Sequence, residues 1–542
     1  MDLQVSFPSL ETMGIVHMEN LKIIWHNQLA EDSFFKLQFL VVKFCENLMN
    51  IFQSNMLTRF QSLEKLLVYD CGSLQEIFEL QGQDFRETHV VKTIPLKELD
   101  LRRLPKMKQV WNKDPQGIFS FQNLQEIIVV ECESLKSLFP TSVARWLMQL
   151  KDLRVFDCGV EEIVAHEDGA KAVARLVFPK VTDLLLCRLP KLKWFYQGVH
   201  TSEWPLLKHL EVYGCDQIEI CPSKKFSFQE TIEQSQVETS LQHPLFLVDE
   251  ATFPNLEDLV LGGNYNMKEI MRGQFLEECF CKLKFLGVVG YLAVSNWITF
   301  LKRLHNLKKL LVKENSWEEI FPYEELFGQE KHARVLTKLR VLKLIQLHKL
   351  THLWKEDTQP SPIFHYLEDL YVSLCGKLKI LAPSSVSFQN LTNLEILKCH
   401  GLINLVMLST AKSLVQLKKL SVSECESITE VVAREGGEGN EVITFSQLTY
   451  LELDCLPNLT SFCSRSYSFE FPSLEEVIVR KCTEMKIFCH GVLRSPKLER
   501  VKATKEDEGH WKVDLNTTVR TLALEGKTMI PLPQSKGKKL LS

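Results

Sequence analysis

Several features that would point to a familiar function are missing from this 542-residue sequence. The opening Met1-Asp-Leu-Gln-Val-Ser-Phe7-Pro8 has no basic stretch followed by an apolar core, so no secretory leader is expected and the chain is expected in the cytoplasm. The best membrane candidate, the uncharged run Phe285 to Leu301, contains Asn296 and two glycines, whereas spanning needs ~20 mostly apolar residues. A formal net charge of -4 gives no general pull toward nucleic acid. There is no Gly-x-x-x-x-Gly-Lys-Ser/Thr phosphate loop. Gly436-Gly-Glu-Gly439 is a poor substitute, because Glu435, Glu438 and Glu441 would repel an anion. Paired Cys-x-x-Cys spacing is absent too, which leaves Cys279-Phe-Cys281 and the pair Cys455 and Cys463 as the only material for a metal. No cofactor or metal is expected. A catalytic reading needs nucleophile, base and orienter together; fragments such as His166-Glu-Asp-Gly169 and His200-Thr-Ser-Glu203 fall between repeating segments, and the chain is not expected to be an enzyme.

What is present is repetition. Phe60-Gln-Ser-Leu63-Glu-Lys-Leu66-Leu-Val68-Tyr-Asp-Cys71-Gly-Ser-Leu74-Gln-Glu-Ile77-Phe78 recurs with the same apolar columns along almost the whole chain. Related copies open at Phe7, Phe34, Phe121, Leu147, Phe178, Trp204, Phe253, Phe280, Leu304, Leu336, Phe364, Phe388, Leu414, Phe445, Phe471 and, faintly, Pro496. The kernel Leu-x-x-Leu-x-Val/Leu-x-x-Cys/Leu is close to the leucine-rich-repeat signature, whose period is ~20–29 residues. In Leu66-x-Val68 apolar residues alternate with others, which fits a very short strand with one buried face. Such a strand cannot stand alone. Stacked copies would fuse their apolar columns into one core. The expected fold is therefore an α/β solenoid, a leucine-rich-repeat horseshoe or superhelix of about 18 irregular repeats, with a parallel sheet on the concave face and irregular or short helical convex segments.

The sixteen cysteines would suggest disulfides in a secreted chain. Nine of them, however (Cys45, Cys71, Cys132, Cys158, Cys215, Cys375, Cys399, Cys425 and Cys482), occupy one column of the repeat. A compact, apolar, weakly donating thiol suits the place where the backbone leaves the strand, so a structural column is expected.

Two halves resemble each other: adding 243 to Leu99, Leu101, Leu104, Trp111, Asp114 and Phe121 gives Leu342, Leu344, Leu347, Trp354, Asp357 and Phe364. A second repeat flavour, Leu101-Arg-Arg-Leu104-Pro105, recurs from Leu186, Leu344 and Leu453 and puts leucine where the others have cysteine. These patterns divide the chain into a first array at 1–221, an acidic and polar insertion at 222–252, a second array with a terminal half-repeat at 253–526, and a disordered basic tail at 527–542.

If Leu66 and Val68 point inward, strand alternation turns Lys65, Leu67, Tyr69 and Asp70 outward. The same column arithmetic exposes Tyr69, Tyr213, Tyr371 and Tyr450, amphipathic side chains suited to contact, and Lys398, Lys419, Arg480 and Lys481, which would make the face more basic toward the C-terminus. The expected partner is a protein.

The openings Phe7 to Glu11, Phe253 to Glu257 and Phe471 to Glu475, the turn Cys132 to Lys136, the Leu189-Pro-Lys-Leu-Lys193 segment and the closing Glu506 to Thr518 resemble the leucine-rich-repeat region of plant coiled-coil nucleotide-binding disease-resistance proteins. The resemblance implies a region of an innate-immune receptor that senses a pathogen effector or a guarded host protein, or that restrains its own nucleotide-binding domain. It also implies that the chain is the C-terminal portion of a longer receptor or a truncated relative, since the nucleotide switch is not here. The competing reading is a free-standing adaptor or scaffold.

Overall fold

A computed structural model describes residues 6–25, 30, 33–80, 91–115, 118–165, 174–197, 200–218, 253–262, 280–290, 294–321, 336–353, 364–382, 384–433, 441–503 and 509–524. The expected insertion at 222–252 and basic tail at 527–542 lie outside them, as do most of the polar excursions between repeats. The chain divides into two compact units, Met1–Leu283 and Lys284–Ser542.

The first unit is a parallel ladder of nine short strands among the described residues: β1 Thr12–Val16, β2 Phe39–Lys43, β3 Lys65–Tyr69, β4 Glu98–Arg102, β5 Glu126–Val130, β6 Asp152–Phe156, β7 Asp183–Cys187, β8 His209–Tyr213 and β9 Asp258–Gly262. The second unit repeats the plan with β10 Phe285–Val289, β11 Lys309–Lys313, β12 Val341–Ile345, β13 Asp369–Ser373, β14 Asn393–Leu397, β15 Lys419–Ser423, β16 Tyr450–Asp454, β17 Glu476–Arg480 and β18 Val501–Lys502. In both units each strand pairs with the next coil's strand, so the expected leucine-rich-repeat solenoid is what the chain forms.

Register explains why the sequence selects this ladder. Leu40, Leu66, Leu99, Ile127 and Leu153 face one another across successive strands, and so do Val42, Val68, Leu101, Val129 and Val155. All ten are buried. Slipping one strand by a single residue would turn both of its core residues outward, so the pattern pins the pairing. Burying one such side chain is worth ~1.5–3 kcal/mol, and that burial is supplied by the coils on either side.

A second seam runs behind the sheet. Aromatic residues that open or close the repeats stack from coil to coil: Phe52 on Phe78 at 5.5 Å and Phe78 on Trp111 at 5.6 Å in the first unit, Phe445 on Phe471 at 5.3 Å and Phe462 on Phe488 at 4.9 Å in the second. Where these residues are extended they form further short parallel pairs, such as Asn50–Gln53 with Glu76–Glu79 and Asn404–Met407 with Glu430–Ala433. The rest of that side is irregular or briefly helical, as at Thr141–Trp146 and Leu408–Ser413. The membrane candidate Phe285 to Leu301 resolves into strand β10 and the start of the helix Val294–Arg303, and no helix among the described residues is long and apolar enough to cross a membrane.

Strands β1 to β8 and β10 to β17 are each followed by a residue held in the left-handed region. In the first unit these are His17, Phe44, Asp70, Arg103, Glu131, Asp157, Arg188 and Gly214; in the second, Gly290, Glu314, Gln346, Leu374, Lys398, Glu424, Cys455 and Lys481. None is β-branched, and a β-branched residue tolerates positive φ worst. Their N–H groups continue the ladder, as when Asp70 N donates to Arg102 O at 3.0 Å and Lys398 N to Ser423 O at 3.0 Å. The turn off the strand is thus made by the residue before the cysteine column, and the cysteine drops inward as a result. The nine column cysteines are all buried and unpaired. Their thiols donate to backbone carbonyls, Cys71 to Tyr69 O at 3.4 Å and Cys482 to Leu453 O at 3.4 Å among them. Leu104, Leu189, Leu347 and Leu456 fill the same column in the second repeat flavour, and Asn315 fills it once, donating to Gly290 O at 2.9 Å.

Candidate protein-recognition face

Alternation along five-residue strands leaves the first, third and fifth side chains on the outer face of the sheet, with the left-handed residue beside them. The strand burial follows this rule: in β3, Leu66 and Val68 are buried, Lys65 is exposed, and Leu67 and Tyr69 are half-buried. The eight sequence-predicted contact residues all fall on this face but in different rows. Lys419 and Tyr450 begin their strands, Tyr371 sits at the centre of β13, Tyr69, Tyr213 and Arg480 end theirs, and Lys398 and Lys481 occupy left-handed corners. Tyr69 and Tyr213 belong to the first unit, the other six to the second.

In the second unit, register brings Lys419 directly beside Tyr450. The Lys419 ammonium lies 5.8 Å from the Tyr450 ring centre and 2.5 Å from Glu395 Oε1 on the preceding strand. Tyr450 donates its hydroxyl to Glu452 at 3.0 Å, and Ser421 donates to the same carboxylate at 2.9 Å. Arg480 forks onto Asp454, with Nε 2.6 Å from Oδ1. Lys398 meets Glu424 at 3.5 Å, and Lys502 meets Glu476 at 2.8 Å. Burial, reinforced by Glu452, raises the Tyr450 phenol above its ordinary value. The expected basic gradient therefore does not accumulate as uncompensated charge, because most of these cations are matched by a carboxylate one strand away. Among the described residues, Lys481 alone of the four predicted cations has no ion pair.

The first unit treats its tyrosines the same way. Tyr69 donates to Asp100 Oδ2 at 2.6 Å, while Lys43 lies 4.7 Å and the Arg102 guanidinium 5.5 Å from its ring centre. Arg188 donates to Tyr213 OH at 3.1 Å and also clamps Asp157. Burial pushes the Tyr213 phenol up to about 12. These are fixed, half-buried aromatic side chains with few rotamers left to lose, a property shared by surfaces that bind proteins.

The residues named as material for a metal are not brought together among the described residues. Cys279 lies outside the described residues; Cys455 is at a left-handed corner of the sheet face, whereas Cys463 is a free thiol buried behind the sheet, its backbone paired in parallel with that of Cys489. Among the described residues no group of three or more His, Cys, Asp or Glu side chains converges.

The family profile of plant disease resistance protein RPS2-like leucine-rich repeats matches residues 9–159, 255–387 and 383–504. The chain belongs to this family. Two probable disease resistance proteins of Arabidopsis thaliana are related to it, one 26% identical over 226 residues and the other 23% identical over 320. Those alignments span 38% and 53% of this chain but only 25% and 30% of the relatives' own lengths. Among solved structures, a leucine-rich-repeat protein of Leptospira interrogans is 17% identical with a TM-score of 0.34, covering 80% of this chain and 90% of that one. YopM from Yersinia enterocolitica is 13% identical with a TM-score of 0.27, covering 91% of each. The partners that tie down the charged groups of the sheet face, each on an adjacent coil, were invisible to sequence reasoning.

Proposed function

We propose that this RPS2-like repeat region is the recognition part of a cytoplasmic plant immune receptor, binding a protein through the outer face of its sheet. The ligand would be a pathogen effector, a guarded host protein or the receptor's own nucleotide-binding domain, the last serving to hold the switch off. The observation that carries the reading is the set of hydrogen-bonded tyrosines and paired charges held on the strands of each unit, in a chain whose family members are disease resistance proteins. Rigid anchors lower the ordering cost of binding. The test is co-precipitation with the nucleotide-binding region of a family member and with candidate effectors, at matched salt. Charge reversal at Lys419, Arg480 and Lys481 should weaken capture more than reversal of Lys106, which lies in the loop after β4. Equal losses from both sets would defeat the reading.

A further inference from the structure

The outer face of the second unit neutralises most of its strand cations. Lys313, Lys419 and Lys502 each pair with a carboxylate, as does Arg480. Lys309 on β11 and Lys343 on β12 depart from this: both are exposed, and neither has a carboxylate partner among the described residues. The nearby acids are otherwise engaged, Glu314 with Lys313 and Glu368 with Arg340, while Asp369 accepts from Asn393.

Between and beside the two lysines the face is apolar. Leu311, Lys343 and Tyr371 lie in one row across three strands, and Lys313, Ile345 and Ser373 in the next. Leu311, Val341, Ile345 and Tyr371 are all half-buried. Neighbouring strands are ~4.8 Å apart and alternate residues ~6.8 Å apart, so the two lysines stand about 8 Å from each other on the diagonal. That spacing is close to the separation of alternate side chains in an extended chain.

We infer that this patch on β11 to β13 binds an extended segment of a partner protein that presents acidic and apolar side chains together on one face, at every second residue. The inference rests on the reading of the sheet face as a protein-recognition surface and names the chemistry of one of its partners. Two free ammonium groups supply the charge complement, and Leu311, Val341 and Ile345 receive the apolar side chains. A nucleic acid strand fits less well, because the lysines are separated by aliphatic residues and not lined up along a backbone track.

The probe is a fluorescein-labelled peptide with Leu, Asp, Asp and Phe at every second position and Ser between them, followed by fluorescence anisotropy against the full chain. Binding should weaken by roughly tenfold between about 0.05 and 0.5 M salt, as expected for exposed charge pairs. Lys309→Gln with Lys343→Gln should weaken it by about tenfold, the scale set by two cooperating ion pairs. Lys106→Gln should leave it unchanged. The same peptide with Lys replacing Asp, or with Ser replacing Leu and Phe, should bind at least roughly tenfold more weakly. Undiminished binding by the double variant, no binding of the acidic peptide, or preferential binding of a single-stranded RNA would each overturn the assignment. If the loss instead follows Lys419→Gln and Tyr450→Ala, the sheet-face reading stands and the placement on β11 to β13 fails.

Discussion

Arg103 clamps Asp70 from the neighbouring coil, Nη2 to Oδ2 at 2.7 Å, although both residues sit in left-handed backbone at the ends of their strands. Arg188 and Asp157 repeat the arrangement at 2.6 Å. The corner that costs backbone strain is thereby also the place where coils exchange charge. The Arg103 side chain is half-exposed, so the pair itself should contribute only ~0.5 kcal/mol. A double-mutant cycle with Arg103→Ala and Asp70→Ala should give a coupling near that size, falling toward zero at high salt. A coupling above ~2 kcal/mol would mean the corners are desolvated and the surface estimate wrong.

The corner strain itself is testable at Leu374, which is exposed and held at φ 57°. Leu374→Gly should be neutral or stabilising by ~0.5–1 kcal/mol, because glycine adopts this conformation without a Cβ clash. Leu374→Val should destabilise by ~1–2 kcal/mol, since a β-branched residue resists it. Urea midpoints of the two variants measured side by side decide the matter; equal midpoints would show that the corner is relaxed.

The inward columns should separate sharply from the outward ones. Leu66 is fully buried and Leu67, its chain neighbour, half-buried on the sheet face. Leu66→Ala should cost ~2–5 kcal/mol through lost burial and a cavity between coils. Leu67→Ala should cost less than ~1 kcal/mol. Thermal unfolding of both variants gives the comparison, and similar losses would contradict the alternation on which the recognition face depends.

How much of this was readable beforehand follows from range. Leu66 and Val68 announce their burial through local alternation, and Cys71 announces its column through the period, because each repeat has to satisfy the same neighbours. The partners of Lys419 and Arg480 lie 24 and 26 residues away in sequence, on an adjacent coil whose register depends on loop length. No local pattern could say that Glu395 and Asp454 would meet them, or that Lys309 and Lys343 would be left without a carboxylate. Asn315 was hidden for a different reason: it does the work of a column cysteine with another side chain, and the period around it carries no cysteine to mark the place.

The cysteine column gives alkaline sensitivity. Burial pushes the Cys71, Cys215, Cys425 and Cys482 thiols up to about 12. The folded state thus holds its thiol protons more tightly than the unfolded chain, whose thiols ionise near ~8.5. Their stabilising contribution is complete below that lower value and is lost as pH rises toward 12. Urea midpoints should fall between pH 9 and 11, and Cys71→Ala should flatten the fall. In the native state at about pH 8, iodoacetamide should label the exposed Cys281 and spare the column, because only a reachable thiolate reacts. Rapid native labelling of the column would show that the coils open locally.

Arg480 and Lys398 look alike in a contact map but should behave differently when removed. The Arg480 side chain retains 21% of its exposure and Asp454 only 9%, whereas Lys398 and Glu424 retain 42% and 46%. Removing Arg480 strands a buried carboxylate beneath the sheet face, so Arg480→Ala should destabilise by ~3 kcal/mol. Lys398→Ala removes a hydrated pair and should cost under ~0.5 kcal/mol. The distinction also governs the binding tests, since a loss of partner capture by an Arg480 variant mixes recognition with folding while a loss at Lys398 or Lys481 does not. Asp454→Asn with Arg480→Gln, which removes both charges at once, should recover much of the stability lost in Arg480→Ala. Failure to recover it, measured as an unchanged urea midpoint, would place the importance of Arg480 in packing and not in charge.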